Sequence, residues 1–379
     1  MVRVGAVIYC AAVRSNKLGL WIGAAVVLVL LAGGGIAWAV SSRSSSGKAA
    51  TPAGAAPATS APAPTTPPPP PGADIKGPLD LVILGVDTRV SIADWEPHSD
   101  AIMLLHVEPD LRSAYLYSLP RDLRVKMPRF PKAGFAGGTY KITEAMGRGS
   151  RVPGSKKHSV AQGYELLTKT LTAYTGIKQF QAGAILNFGG LEKLTDQLGG
   201  VDLVIDQKVT SHHRKPDGSL RPLQPGGGDY LGPQAVYHPG KRHLAGWQAI
   251  DYARQRYGLP DGDYDRQRHQ RQLVKALLAR AMDQGLVADQ AKLQGVIDAL
   301  GETLVYVGGR KPLEYAYALR DLKPANITLV GLPGSGVGSG GGYLGEQLTA
   351  EGRGFLTAVA SGQAKQYLTK HPKLVNKSG

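Results

Sequence analysis

The chain has 379 residues and 42% hydrophobic content, enough for one large domain or two ordinary ones with appendages. Its formal net charge of +15 points to an anionic partner: a nucleic acid, an anionic membrane or a phosphorylated substrate. The single cysteine, Cys10, precedes a long apolar segment, which excludes an intramolecular disulfide and a thiolate metal site from the rest of the chain.

Residues Leu18 to Val40 are uncharged and mostly apolar. At about 1.5 Å per residue, a helix of that length exceeds a hydrocarbon core of roughly 30 Å. Trp21 and Trp38 stand near its ends, where amphipathic rings favour the interface. Arg3, Arg14 and Lys17 precede it and only Arg43 and Lys48 follow closely, a modest bias that puts the N-terminus in the cytoplasm. Ala37-Trp38-Ala39 would suit signal cleavage. The stretch is longer than the roughly 7–15 residues of a signal core, however, and this favours a retained single-pass anchor. Either reading exports everything after residue 40 and argues against nucleic acid. Ser41 to Lys76, rich in Ser, Ala, Thr and Pro, cannot bury a core and reads as an extended stalk. The expected layout is a cytoplasmic 1–17, an anchor 18–40, a linker 41–76, an extracytoplasmic domain 77–372 and a tail 373–379.

Within the domain, Leu79–Val86, Ala101–Val107 and Ser113–Leu119 read as three strands, the last two joined by a turn at Glu108-Pro109-Asp110. His158–Tyr174 has helical periodicity, Phe180–Phe188 reads as a strand and Leu191–Leu198 as a short helix. Gly199-Gly200 stops that helix before a strand at Val201–Ile205. Residues 207–243, rich in Gly, Pro and His, read as a long loop. Helices follow at Ala245–Arg254, Tyr264–Gln284 and Ala288–Leu300, then a strand at Ile327–Leu332, a Gly-rich stretch from Gly334 to Gly342 and a last helix near Gly352–Ala360. The expected class is α/β, a mixed central sheet flanked by helices.

If the first three strands form a meander, Asp87, Asp100, Arg121 and Asp122 converge on one end of the sheet. Two carboxylates without Cys or paired His ligands suit a hard cation, Mg²⁺ before Zn²⁺; both acids could equally cap turns. A denser cluster runs from Arg254-Gln255-Arg256 to Asp263-Tyr264-Asp265-Arg266 and Gln270. Asp263, Arg266 and Gln270 share one helical face, which Leu273 and Leu277 continue into apolar territory. Arg268 and Arg271 fall on another face and read as solvent-exposed. Arginine forks suit bidentate phosphate recognition, against the plainer reading of an ordinary basic helix.

In order and spacing, these residues resemble the LytR-CpsA-Psr family. Leu81-Val82-Ile83-Leu84-Gly85-Val86-Asp87-Thr88-Arg89, Ser99-Asp100-Ala101-Ile102-Met103-Leu104 and Ser118-Leu119-Pro120-Arg121-Asp122 look like its first blocks. Leu198-Gly199-Gly200-Val201 looks like its central block, and Leu244-Ala245-Gly246 through Arg256, then Asp263-Tyr264, Arg266-Gln267 and Gln270, like its last. The resemblance covers about Leu79 to Leu277 and includes the anchor and stalk. It implies a phosphotransferase that moves a glycopolymer from a polyprenyl-pyrophosphate carrier onto peptidoglycan, usually with Mg²⁺. By position, Asp87 and Asp100 would hold the metal. Arg89, Arg121, Arg254, Arg256 and Arg266 would bind the pyrophosphate, with Asp263 and Gln270 orienting the arginines. An apolar pocket between sheet and helices would take the prenyl chain. Arg121, Arg254, Arg256, Asp263 and Arg266 are thus the expected catalytic set, and Arg89, Asp122, Gln270 and Arg268 the expected substrate contacts. His98 and His269 stand where the family often has arginine, and Thr143 where it often has asparagine; Arg268 is a candidate replacement for the second arginine. Asp122 and Asp263 are candidate bases. A pyrophosphatase, a non-catalytic wall- or lipid-binding module and a transcriptional regulator are the alternatives; the anchor and stalk argue against the last.

Overall fold

The computed structural model describes residues 69–87, 96–286, 289–338 and 342–376. The apolar segment 18–40, most of the linker and Arg89 lie outside them. In chain order the described elements are β1 (Leu79–Asp87), β2 (His98–Val107), β3 (Ala114–Leu119), β4 (Arg124–Met127), β5 (Gly138–Lys141), α1 (Glu144–Ser150), α2 (Val160–Thr175), β6 (Ala182–Asn187) and α3 (Phe188–Gln197). Then come β7 (Val201–Ile205), β8 (Val209–Thr210), β9 (Val236–Tyr237), β10 (Gly240–Leu244), α4 (Gly246–Arg254), α5 (Asp263–Asp283) and α6 (Gln290–Leu300). The chain continues through β11 (Leu304–Gly308), α7 (Pro312–Ala318), β12 (Ile327–Val330), β13 (Gly334–Val337), β14 (Gly345–Leu348), α8 (Ala350–Ala360) and α9 (Ala364–Lys370).

The main sheet has six strands in the order β11-β6-β1-β2-β3-β12. The β1-β2-β3 meander is antiparallel, as expected, while β6 joins β1 and β12 joins β3 in parallel. The near-continuous apolar runs of β1 and β2 suit central strands covered on both faces. On one face Leu81, Ile83, Met103 and Leu105 pack against α3, α4 and α5; on the other Val82, Leu84, Ile102 and Leu104 pack against α2 and α8. The layering is helix, sheet, helix. The long helix α2 is bounded by local chemistry: the Ser159 hydroxyl accepts from Gln162 N at 3.3 Å, and Gly176 ends it at φ 80°.

The β1–β2 register shifts between Gly85, opposite Ala101, and Val86, opposite Ser99. Asp100 is therefore the extra residue of a β-bulge, a device that re-aims a side chain at the end of a ladder.

Four expectations are corrected. The stretch 207–243 is not wholly loop, because β8 pairs β9 and β10 pairs β7. The Gly-rich stretch from Gly334 holds the β13–β14 hairpin. The folded unit begins before residue 77: Asp74 is ion-paired with Arg310 at 2.5 Å and Ile75 packs on the core. The tail from 373 also belongs to it, for Leu374 is buried and Asn376 N donates to Leu329 O at 2.8 Å.

Candidate active site

Three structural devices converge at one end of the sheet. The bulge projects Asp100, the turn after β3 presents Arg121 and Asp122, and the first turns of α5 carry Asp263 and Arg266. Arg121 Nη1 donates to Asp100 Oδ1 at 2.5 Å. Arg266 Nη2 donates to the Asp100 main-chain oxygen at 3.1 Å and lies 2.6 Å from Asp263 Oδ1. Arg266 is only 7% exposed. Burial pulls its pKa below the ordinary arginine value, and the neighbouring Arg121 and Arg256 charges act in the same direction, while Asp263 and Asp100 oppose them. Arg121 is half-buried; burial weakens its charged form, but the Asp100 and Asp122 carboxylates outweigh that and raise its pKa. Asp263 and Asp265 in the first turn of α5 also meet the positive end of the helix dipole.

This cluster has unused donors. Among the described residues, the buried Nε–H groups of Arg121 and Arg266 have no hydrogen-bond partner, although Arg121 Nε lies 3.8 Å from Asp122 Oδ1. A buried unpaired donor costs about 1–3 kcal/mol, and an oxyanion seated between the two guanidinium groups would satisfy both. Asp122 stands on the far side of Arg121, 3.5 Å from Lys141 Nζ, and accepts from Tyr343 OH at 3.3 Å. Lys141 and Tyr343 were not among the expected site residues; Lys141 opens the family-like block around Thr143, whereas Tyr343 follows a Gly-rich stretch with no motif to mark it.

Beside the cluster, an apolar cavity runs between β1, β2 and β6 and the helices α3, α4 and α5. Ile83, Met103, Leu186, Phe188, Leu273 and Val274 line it, and Asn187, Arg254 and Gln270 supply its polar groups. Its cavity volume is only about 50 Å³, a narrow slot that reaches about 530 Å³ when the space open to solvent at its mouth is counted. Gly85 and Ala101, next to the bulge, form the wall nearest the arginines. The Arg254 guanidinium sits over the Phe188 ring at 4.1 Å, and Arg256 donates to Tyr257 OH at 3.0 Å. Gln270 donates to the Ala253 carbonyl at 3.4 Å and lines the cavity, so it lies one turn beyond Arg266 rather than against it.

Arg271 is buried rather than solvent-exposed, and Arg268 is only partly exposed. Arg268 donates to Asp206 Oδ2 at 2.7 Å and is also bonded to Asp265, which turns it away from the Arg121–Arg266 cluster. Arg271 is 2% exposed and donates to Asn376 Oδ1 at 2.7 Å. Helical periodicity could not reveal this, because Asp206 and Asn376 are far away in sequence. His269 is fully buried, stacked on Tyr252 at 4.4 Å and 3.5 Å from Asp206. Neither it nor Arg268 fills the place of a second cluster arginine.

Among the described residues no group of three or more His, Cys, Asp or Glu is arranged to hold a metal. Asp87, which closes β1 opposite His98, and Asp100, two residues further along β2, offer two hard carboxylates at one sheet end. That donor set fits Mg²⁺, which commonly takes one or two carboxylates and completes its shell with phosphate oxygens and water.

The site is thus an arginine–acid cluster at the strand ends of a mixed α/β sheet, next to an apolar cavity. The model of the LytR_cpsA_psr family matches residues 42–351, and the chain belongs to that family. It is 27% identical over 251 residues to biofilm regulatory protein A of Streptococcus mutans, covering 65% of this chain and 55% of that one. It is 27% identical over 292 residues to the cell wall biosynthesis protein LcpA of Corynebacterium glutamicum, covering 70% and 52%. The chain thus spans about half the length of these two relatives. To the polyisoprenyl-teichoic acid–peptidoglycan teichoic acid transferase TagU of Enterococcus faecalis it is 25% identical, covering 69% and 74%. The fold is shared with the crystal structure of TagV of B. subtilis, at TM-score 0.55, 18% identity and coverage of 77% and 98%. It is shared also with TagT bound to LIIa-WTA, at TM-score 0.53, 20% identity and coverage of 78% and 92%.

Proposed function

We propose that this protein is a membrane-anchored phosphotransferase that moves a glycopolymer from a polyprenyl-pyrophosphate carrier onto peptidoglycan, with Mg²⁺ as cofactor and with the domain outside the cytoplasm. The observation that carries the reading is the pair of buried guanidinium Nε–H groups, on Arg121 and Arg266, that lack a hydrogen bond among the described residues, beside an apolar cavity. A pyrophosphate with a long apolar tail has matching parts. Membership in the family and the transferase name of the Enterococcus faecalis relative support the same chemistry.

In the proposed reaction an acceptor hydroxyl attacks the phosphorus nearer the glycan. A new P–O bond forms, the bond to the bridging oxygen breaks, and polyprenyl phosphate leaves with the charge. Arg121 and Arg266 donate to the oxygens on which that charge grows, and Asp100 and Asp263 hold the two guanidinium groups in place before it does. Arg254 lines the cavity and the Arg256 charge is felt by Arg266, so both would meet the outer phosphate oxygens. Asp122 or Asp263 takes the hydroxyl proton. Mg²⁺, held by Asp87 and Asp100, would neutralise charge on the pyrophosphate.

The test is to supply a synthetic polyprenyl-pyrophosphate sugar with peptidoglycan fragments. Sugar phosphate joined to peptidoglycan supports transfer. Free sugar phosphate alone would make the protein a pyrophosphatase, and no cleavage would leave it a binding module.

A further inference from the structure

A second, separate cavity lies on another face of α5, between that helix and the C-terminal segment that follows α9. Its wall includes Tyr264, Gln267, Arg268 and Arg271 from α5 together with Lys373 and Asn376, and it holds about 460 Å³. These α5 residues are spaced i, i+3, i+4 and i+7, a face distinct from the one that carries Asp263, Arg266 and Gln270.

Arg271 is the unusual member. It is 2% exposed. Among the described residues its one hydrogen bond goes to a neutral amide oxygen, Asn376 Oδ1 at 2.7 Å, and its buried Nε–H has no hydrogen-bond partner there. The two acids of the wall, Asp261 and Glu351, do not compensate it, and Glu351 is paired with His371 at 3.0 Å. Arg268, its neighbour, is already neutralised by Asp206 and Asp265. Burial and the Arg268 charge push the Arg271 pKa down to about 9. A guanidinium has five N–H donors and needs a counter-charge when it is taken out of water.

We infer that this cavity is an oxyanion site, centred on the Arg271 guanidinium and assisted by Lys373, that takes a phosphodiester or carboxylate carried on a larger polar chain. The width of the cavity, open beside a buried fork of donors, suits an anionic group on a polymer better than a free ion. Arginine presents its fork to either oxyanion bidentately. That the polymer is one of the cell wall rests on the proposed function; the site itself rests on Arg271 and its surroundings.

The experiment uses the full chain in detergent micelles, titrated with inorganic phosphate and, separately, with acetate. Arg266→Gln silences the first cluster, and Arg271→Gln is made in both backgrounds. Crystals of the unmutated chain soaked in selenate locate the anion directly by anomalous scattering. The expected result is a selenate peak within about 3 Å of the Arg271 guanidinium. With it should come a phosphate or acetate affinity in Arg266→Gln that Arg271→Gln weakens at least tenfold. Stronger phosphate than acetate binding assigns a phosphodiester, the reverse a carboxylate. No peak at Arg271, or affinities indifferent to Arg271→Gln, overturns the inference. Phosphate binding that Arg266→Gln leaves unchanged while Arg271→Gln weakens it counts against the proposed function and leaves this site standing.

Discussion

Arg266 donates to the main-chain oxygen of Asp100, 166 positions earlier in the chain, at 3.1 Å. The bond exists because Asp100 is the extra residue of the bulge between β1 and β2, so its carbonyl is released from the ladder. The same residue turns its carboxylate to Arg121 at 2.5 Å. One irregularity in a strand thus fixes two arginines from distant parts of the chain.

Asp100→Ala should therefore lower pyrophosphate cleavage at least about tenfold by loosening Arg121 and weakening the proposed Mg²⁺ site. The carboxylate is partly exposed, so the melting temperature should stay near that of the unmutated protein. Rates measured across a Mg²⁺ titration and after chelation check it. Full activity of Asp100→Ala at limiting Mg²⁺ would remove Asp100 from the metal site.

Val274→Phe adds bulk to the wall of the apolar cavity, where Val274 is 5% exposed. Overpacking costs about 1–3 kcal/mol of stability. The sharper effect should be on the donor: KM should rise several-fold for a long prenyl carrier and little for a short one. Equal KM changes for both chain lengths would place the prenyl group elsewhere.

Asp206 ties the end of β7 to α5 by accepting from Arg268 and Gln272 and facing His269. Burial tends to raise its pKa, but the hydrogen bonds and charges of His269 and Arg268 outweigh this and hold it well below the ordinary carboxylate range. A lowered folded pKa stabilises the fold above the unfolded value, near 4, and that contribution fades as pH falls below it. Asp206→Ala should then cost about 1–2 kcal/mol at pH 7, allowing for partial exposure. Urea denaturation at several pH values should show the gap closing below about pH 4. A gap that does not change with pH would mean the carboxylate charge is not what Arg268 and His269 read.

A reporter fused after Gly379 should be active only in an exported form, given the uncharged Leu18–Val40 segment and its basic N-terminal flank. Activity of a reporter that works only in the cytoplasm would contradict the proposed topology. Among the described residues no helix is long and apolar enough to cross a membrane, so the test bears on segment 18–40 itself.

Much of the fold was legible because its central elements follow simple periods. The apolar runs of β1 and β2 and the i, i+3, i+7 face of Asp263, Arg266 and Gln270 state their own structure. The peripheral strands do not. β10 reads Gly-Lys-Arg-His-Leu and β13 reads Gly-Ser-Gly-Val, without alternation, and they form because β7 and β14 offer edges to pair with. β11, with Leu-Val-Tyr-Val, did carry a strand signal that a helix-rich neighbourhood obscured. The site divided likewise. The sequence placed Asp100 and Arg121 at one sheet end and Arg266 on a helical face with Asp263, but the ion pairing of Arg268 and the burial of Arg271 depend on Asp206 and Asn376, contacts that no local pattern encodes.

The most direct measurement compares three arginines by release of polyprenyl phosphate from a synthetic lipid-linked pyrophosphate sugar, with rates taken per folded molecule. Arg266 faces Asp100 and Asp263, whereas Arg268 is held by Asp206 and Asp265 on another face. Removing a preorganised charged donor costs about 3 kcal/mol of transition-state stabilisation, a hundredfold or more in rate. Arg266→Ala and Arg256→Ala should abolish most release, Arg266→Lys should not restore it because an ammonium cannot form the bidentate fork, and Arg268→Ala should remain near the unmutated rate. Equal losses at positions 266 and 268 would contradict the account and leave a diffuse basic surface in place of a site.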